Sequence, residues 1–480
     1  MNYDVIIIGC GVTGASCAYA LSRRKLRIGI LEASNDVANG TTKANSAIVH
    51  AGYDPEPGTA MARLNVRGTA MMAELCKKLD VPYANIGSLV LSLSEADDAH
   101  VRELYERGLK NGVPDLRILT GEEVRAMDPG VSPETRCALW APSAGIVNPW
   151  ELCLAMAETA VRNGAELHLS SPVTSIDRTG EGYCLHTPKG DFTAPYVLNC
   201  AGTVSDRIAA MVGDESFRIL PTKGEYFLLD KSEGHRVEHV IFQCPSELGK
   251  GVLVAPTVHG NLLVGPNATR TEPDDTANTA EGLAFVRASA LRSVPGVNFR
   301  DNIRNFAGVR SNSDHDDFII GESETAPGFI HFAGIRSPGL SAAPAFGEEA
   351  LRLLRAAGLE AEEKEQVVDS RRRIRFHELS DEEKNEMVRT DPRWGRVICR
   401  CETVTEGEIV AALHTPIPPC SVNGVKRRVG AGMGRCQGGF CGPRVQEIIA
   451  RELGLSPVDV LMDWEGTWVL CGETKGGAKA

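Results

Sequence analysis

Four apolar residues, Val5-Ile6-Ile7-Ile8, run straight into Gly9-Cys10-Gly11-Val12-Thr13-Gly14 near the start of the chain. No other feature restricts the fold as strongly. A strand that ends in such a turn must hand over to a helix, and bulky residues at the glycines would lift that helix off its sheet. Thr13–Ser22 is Ala-rich and reads as the helix, and Arg27–Leu31 reads as a second strand ending at Glu32. The unit is β-α-β, with helix amides facing whatever anion sits above the turn. Glu32 stands where an acid accepts hydrogen bonds from an adenosine ribose. Glycines alone are weak evidence. Framed by strand, helix and acid, they predict a dinucleotide site.

A second constraint lies at the far end. Of fourteen cysteines, Cys399 and Cys401 form a C-x-C pair, and Cys436 and Cys441 follow a Gly-Met-Gly-Arg run. Four thiolates packed into a short stretch suit an iron–sulfur cluster, with glycines letting backbone amides approach the sulfurs. A structural zinc site competes, because four thiolates also hold zinc. Zinc ligands usually come as C-x2-C pairs, which favours iron–sulfur here, and disulfides rank behind both. The other ten cysteines show no paired spacing and sit mostly in apolar or Gly/Ala-rich context, as small buried hydrophobes in a reducing compartment. A two-electron cofactor at one end and a one-electron centre at the other read as an electron-transfer enzyme.

With 480 residues, 42% of them hydrophobic, the chain has enough apolar surface for two or three domains. A net charge of −12 argues against a nucleic-acid surface. No run of eighteen apolar residues spans a membrane, and the first strand begins too early for a signal peptide. The expectation is a cytoplasmic protein that meets a membrane only through a partner.

Two later segments bear on the nucleotide. Tyr196-Val197-Leu198-Asn199-Cys200-Ala201-Gly202 is a buried strand ending in small residues. Phe329–Ser341 is a strand running into a Gly/Pro loop, and Ala342–Leu354 is a helix whose amides would face that loop. An isoalloxazine ring, anionic when reduced, suits such an electropositive end. These segments, in this order across residues 1–355, resemble the D-amino-acid-oxidase-type family of FAD enzymes. Within them, Thr41–Gly52 is similar to the flavin-proximal segment of glycerol-3-phosphate dehydrogenases and L-2-hydroxyglutarate oxidases. The resemblance implies a mixed α/β and α+β architecture, with a Rossmann-like FAD-binding domain and an inserted β-rich substrate domain. The FAD-binding domain would comprise 1–80, 151–210 and 306–355, and the substrate domain 81–150 and 211–305. Alternating segments such as Gly224–Leu229 and Gly251–Ala255 suit a sheet in the insert. FAD contacts are implied for Gly9, Gly11, Gly14, Glu32, Thr41, Thr42, Asn45, Ser46, Val173, Ala201, Gly202, Gly334, Ser337, Gly339, Leu340 and Ser341.

Residues 356–396 are dense in charge and read as a linker with helical pieces. A basic docking patch at Arg371–Arg375 is the alternative. Thr405-Glu406-Gly407-Glu408 is a capping box opening a helix through Leu413, and Gly442-Pro443 opens another with Val445, Ile448, Ile449 and Leu453 as its stripe. Residues 397–455 resemble the small helical [2Fe–2S] domain of bacterioferritin-associated ferredoxin. Lys426–Arg428 through Gly432–Gln437 is most similar to the C-terminal domain of anaerobic glycerol-3-phosphate dehydrogenase large subunits. The C-x4-C second pair departs from the ferredoxin's C-x2-C. Residues 456–480 form a tail.

Flavin oxidation of an alcohol or amine needs a base and an anchor for the substrate's remote end. His50 is a candidate base, with backbone support near the flavin as its alternative role. Arg310, in Gly308-Val309-Arg310, stands where the resembling family grips an anionic substrate, and a planar guanidinium suits carboxylate or phosphate. Lys223 is a further candidate for the same cavity. The resemblance implies a dehydrogenase for a small anionic 2-hydroxy compound, passing electrons from FAD through the cluster to a partner protein subunit. Glycerol 3-phosphate leads as substrate, L-2-hydroxyglutarate follows, and an amino or imino acid is third. In a reading of another class, the C-terminal module is a cluster-bearing binding or sensing domain.

Overall fold

The computed structural model describes residues 1–244, 251–472, 474 and 475, and the chain divides into two compact units. The first comprises residues 1–32 and 38–371, the second residues 33–37 and 372–480.

The first unit is built on the strand that opens the chain. β1 (Val5–Ile8) is buried throughout, because it lies between β2 (Ile28–Leu31) and the Tyr196–Asn199 strand, parallel to both. The six-stranded sheet runs Ile319–Glu322, Phe329–Ala333, Tyr196–Asn199, β1, β2, Glu166–His168, and only Ile319–Glu322 is antiparallel to its neighbour. Buried central parallel strands need continuous apolar runs, and the isoleucines of β1 supply one. α1 (Val12–Leu21) follows β1 after a three-residue turn and packs between the Pro149–Arg162 and Gly339–Ala356 helices. Gly347 makes one of these contacts possible, since a Cβ there would stand 2.5 Å from Ala20 Cβ.

A nine-stranded, mostly antiparallel sheet is the largest sheet of this unit, which also holds two three-stranded sheets. Towards one end of the nine-stranded sheet, the Thr222–Leu229 strand pairs with Leu262–Gly265, Thr269–Arg270 and the long Asn302–Arg310 strand. Val240–Gln243 then runs parallel to Ser88–Ser92, joining strands from two distant parts of the chain. Leu89, Leu91, Ile241, Val254, Leu262 and Val264 are fully buried in the core of this sheet. The helix expected at Ala342–Leu354 begins three residues earlier, at Gly339, and continues to Ala356. Its first turn is made by Gly339-Leu340-Ser341, residues that read as loop from sequence.

The charged stretch after residue 356 yields one correction. Arg371 is not part of a basic surface patch. It is 5% exposed, with Nε 2.7 Å from Glu158 and Nη1 3.5 Å from Glu151, both themselves buried. Burying two carboxylates on one helix requires a cation, and Arg371 is the one placed there.

In the second unit, the Val397–Cys399 and Val404–Thr405 strands form a hairpin leading into the Glu406–Leu413 helix. Thr405 and Glu408 complete the expected capping box. The Gly442–Leu453 helix starts where expected, with Pro443 in its first turn. Ile409, Val410, Leu413, Val445, Ile448 and Ile449 pack together with Val425 of a third helix, Val422–Val429. That helix carries Lys426, Arg427 and Arg428, and all three are buried. Arg428 grips Asp36 with both terminal nitrogens at 2.8 Å, and Arg427 spans Asp36 and Asp463.

Candidate functional site

In the first unit, the turn after β1 is tight in a way that assigns each glycine a separate reason. Gly9 adopts φ +94°, and a Cβ on Gly14 would sit 2.0 Å from the Gly9 carbonyl oxygen. Both are required by the turn itself. At Gly11, with φ −72°, a Cβ would approach only Thr42 Oγ1, at 3.3 Å. The room beside Gly11 is therefore left for something outside the turn. Glu32 reaches back from the end of β2 to accept the Cys10 amide at 2.7 Å, which holds its carboxylate at the rim. The α1 start has no acid in its first turn. An open Gly11 face, a helix start free of acid and a carboxylate at the rim fit a nucleotide pyrophosphate with its ribose.

Three remote segments converge beyond this turn. Thr42 Oγ1 accepts the Val12 amide at 3.0 Å, and Thr41 Oγ1 donates to the Val309 carbonyl at 2.6 Å. Asn45 bonds the Thr41 and Thr42 carbonyls and the Ala47 amide, and Ser46 pairs with the Tyr226 hydroxyl. Gly308 permits this docking, because a Cβ there would lie 1.8 Å from the Ala44 carbonyl oxygen. Ser311 Oγ donates to the Ile335 carbonyl at 2.9 Å, bringing in the 335–341 segment. Segments 41–50, 308–311 and 335–341 thus meet.

His50 lies in this convergence. Its amide donates to Ser341 Oγ at 2.7 Å, and its carbonyl accepts from Asn65 Nδ2 and Thr69 Oγ1, each at 2.7 Å. Its ring stacks on Phe242 at 5.4 Å, and Nε2 stands 3.4 Å from Ser337 Oγ. Ser341 is fully buried and also donates to Ile48, so its hydroxyl serves the His50 backbone. Asn65, Thr69 and Phe242 went unread in the sequence, since nothing local marks a side chain that bonds a carbonyl or stacks on a ring fifteen or more residues away.

Arg310 ends the Asn302–Arg310 strand opposite Thr222, with its guanidinium over Gly224. A Cβ at Gly224 would come within 2.6 Å of Arg310 Nη2, so this glycine makes room for the arginine. Lys223 does not join it. Directly opposed residues share a face and neighbours alternate, so Lys223, opposite Val309, lies on the other side of the sheet. Its Nζ is 2.7 Å from Asp275, whose carboxyl it helps hold at about 2. The structure does not bring Lys223 and Arg310 into one cavity. Ala201 and Gly202 follow the Tyr196–Asn199 strand, and Gly334 follows Phe329–Ala333, so all three lie beyond the ends of sheet strands. Val173 packs half-buried against the Ile6–Ile8 side of the same sheet, and Leu340 is half-buried in the first turn of the Gly339–Ala356 helix.

In the second unit, the four cysteines come as two pairs. Cys401 and Cys436 have sulfurs 3.7 Å apart, and Cys399 and Cys441 hydrogen-bond one another. The Cys441 thiol, together with the Gly432, Glu402 and Cys401 amides, brings Cys399 down to about 6 despite burial. The Phe440, Gly438 and Gly439 amides and the Cys401 thiol likewise lower Cys436. Cys441, sharing its proton with Cys399, is raised. Gly434 lies against Cys401, where a Cβ would be 2.3 Å from the Cys401 Cβ. Paired thiols ringed by amides suit a dinuclear cluster with two thiolates on each iron. No disulfide forms among the described cysteines.

Comparison with known proteins assigns a family to each of these two parts of the chain. Residues 4–353 match the FAD dependent oxidoreductase (DAO) family, and residues 397–451 match the BFD-like [2Fe-2S] binding domain. A glycerol 3-phosphate dehydrogenase from Caloramator mitchellensis is 50% identical over 475 residues, 98% of this chain and 99% of that protein. The mitochondrial L-2-hydroxyglutarate dehydrogenase of Homo sapiens is 32% identical over 284 residues, 56% of this chain and 61% of that protein. Among solved structures, the dithionite-reduced L-alpha-glycerophosphate oxidase from Mycoplasma pneumoniae with FAD bound superposes with a TM-score of 0.73 at 29% identity, covering 77% of this chain and 98% of that one. With its glycine turn, converging segments and paired cysteines, this chain belongs to the FAD dependent oxidoreductase family and carries a C-terminal BFD-like [2Fe–2S] domain.

Proposed function

We propose that this protein is an FAD-dependent dehydrogenase that oxidises glycerol 3-phosphate to dihydroxyacetone phosphate and passes the electrons onward through its [2Fe–2S] cluster. One observation carries the choice of substrate. The 50%-identical glycerol 3-phosphate dehydrogenase matches 98% of the chain, the cluster-binding residues included, whereas the L-2-hydroxyglutarate dehydrogenase relative matches 56%. When bound, FAD supplies a two-electron acceptor and the cluster a one-electron carrier. Residues 1–80, 151–210 and 306–355 would hold FAD, with 81–150 and 211–305 facing substrate.

The chain's own residues have separable tasks. Arg310, over Gly224, offers a planar fork to the phosphate and fixes the remote end of the substrate. His50 Nε2, beside Ser337, takes the proton of the C2 hydroxyl as that carbon gives up its hydride. Asn65, Thr69 and Ser341 fix the His50 backbone, and Phe242 stacks on its ring. The oxidation yields two electrons and two protons besides the ketone, one proton going to His50 and the other leaving C2 with the electron pair as hydride, and the electrons pass on to an accepting protein subunit. No helix among the described residues is long and apolar enough to cross a membrane, and the cytoplasm is the compartment proposed.

Anaerobic titration tests the reading. Glycerol 3-phosphate should bleach the flavin stoichiometrically, and L-2-hydroxyglutarate should leave it yellow. Bleaching by L-2-hydroxyglutarate alone would transfer the assignment to that substrate. Bleaching by neither would overturn the catalytic role.

A further inference from the structure

The two cysteine pairs differ in exposure, and this gives the cluster site a direction. Cys399 and Cys441 are 1% and 2% exposed, while Cys401 is exposed and Cys436 half-buried. Any electron leaving through a protein partner has its shortest way out at the Cys401/Cys436 edge. Arg400 and Arg435, the residues just before those two cysteines, are both exposed. Phe440 comes just before Cys441 and is 82% exposed. Its amide supports Cys436, but that task needs no side chain, and the two preceding residues that do the same are glycines. Val397, on the strand leading into Cys399, adds a second exposed apolar group at 47%. The one acid in the loop is Glu402, which is half-buried with its carboxylate turned toward Gly434.

In a chain of net charge −12, an edge that carries two exposed arginines and an exposed phenyl ring departs from the average surface. Arginines and aromatics are the residue types enriched at interface centres, and an acidic partner would be steered to such an edge and away from the rest of the molecule. We infer that the Cys401/Cys436 edge, with Arg400, Arg435 and Phe440, is the docking face for an acidic one-electron carrier protein. This rests on the cluster being the electron exit, and it names the chemistry of the partner at that exit.

The test uses the full-length protein loaded with FAD and cluster. An acidic plant-type [2Fe–2S] ferredoxin serves as probe and basic cytochrome c as control, with dissociation constants measured across a salt series. Ferredoxin binding should weaken as salt rises. The double variant R400E/R435E should weaken it at least about tenfold and flatten the salt dependence, and Phe440→Ala should cost about tenfold. The visible and paramagnetic spectra of the cluster should be unchanged in both variants. Unaltered ferredoxin affinity in the double variant with an intact cluster would overturn the docking face, as would tighter binding of cytochrome c than of ferredoxin to the unaltered protein. The relay itself is judged apart, by adding glycerol 3-phosphate to the unaltered protein. A bleached flavin beside a cluster that stays oxidised would overturn the relay, whereas the binding constants alone decide the docking face.

Discussion

Alanine at Gly14 and alanine at Gly11 should fail in different ways, although the residues are three apart in one turn. At Gly14 the added Cβ would stand 2.0 Å from the Gly9 carbonyl oxygen, well inside the 3.0 Å that real Cβ contacts respect. Backbone lies on both sides of that clash, so no rotamer relieves it, and α1 must retreat from β1 by about 1 Å. Overpacking of this kind costs about 1–3 kcal/mol where side chains can give way. With rigid backbone the upper end applies, so about 3 kcal/mol, or roughly 100-fold in the folded-to-unfolded ratio. At Gly11 the Cβ meets only a hydroxyl at 3.3 Å and φ is −72°. Stability without cofactor should then stay level or rise by about 0.4–1 kcal/mol, since alanine restricts the unfolded chain. The Gly11 defect should appear only in FAD affinity, weakened by tenfold or more on the order of 1.4 kcal/mol, because the methyl occupies the room beside the turn. Urea unfolding of the apo-protein followed by tryptophan fluorescence, with FAD titration by flavin fluorescence, separates the two. Wild-type unfolding and full FAD affinity in Gly14→Ala would refute the argument. So would a loss of stability in Gly11→Ala equal to that in Gly14→Ala.

Arg310→Ala should lower kcat/KM for glycerol 3-phosphate by about 100-fold with FAD still bound, and Arg310→Lys should restore only part of it. Lys223→Ala should leave kcat/KM within about threefold, because the lysine faces Asp275 on the opposite side of the sheet; a loss matching Arg310→Ala would return Lys223 to the substrate cavity. Cys436→Ser should preserve bleaching of the flavin by substrate while abolishing reduction of a protein acceptor, and metal analysis of the unaltered protein should give about two irons per chain; stoichiometric zinc would refute the cluster assignment. Burial works against ionisation of Asp214, but hydrogen bonds from Ser216, Ser323 and His331 outweigh it and hold the carboxyl well below its usual range. Its stabilising contribution is complete above the ordinary carboxyl value of about 4 and is lost as pH falls below that. Between about pH 5 and 3 the Tm of the unaltered protein should fall more steeply than that of Asp214→Asn, and parallel curves would count against the assignment.

Local signals carried much of the reading. β1 was legible to the residue because a central parallel strand is buried on both faces and must be apolar without interruption. The glycines of the turn and the Thr405–Glu408 capping box were legible for a similar reason, since each is fixed by neighbours within a few residues, whereas the cysteines were legible as a set but pair across the unit, Cys401 with Cys436 and Cys399 with Cys441. The tertiary structure decided the rest. Lys223 and Arg310 looked alike as cations near glycines, and only the register opposite Asn302–Arg310 put them on opposite faces. Arg371 belonged to a run of arginines that resembled a surface patch, until two buried carboxylates on the Pro149–Arg162 helix claimed it. The Val422–Val429 helix held three basic residues that no periodicity would place inside, and Asp36, almost four hundred residues earlier, is what allows Arg428 to be buried. A side chain's charge and size are set by sequence, but the partner that compensates its burial comes from wherever the fold brings the chain back. That return is decided by the packing of the whole unit.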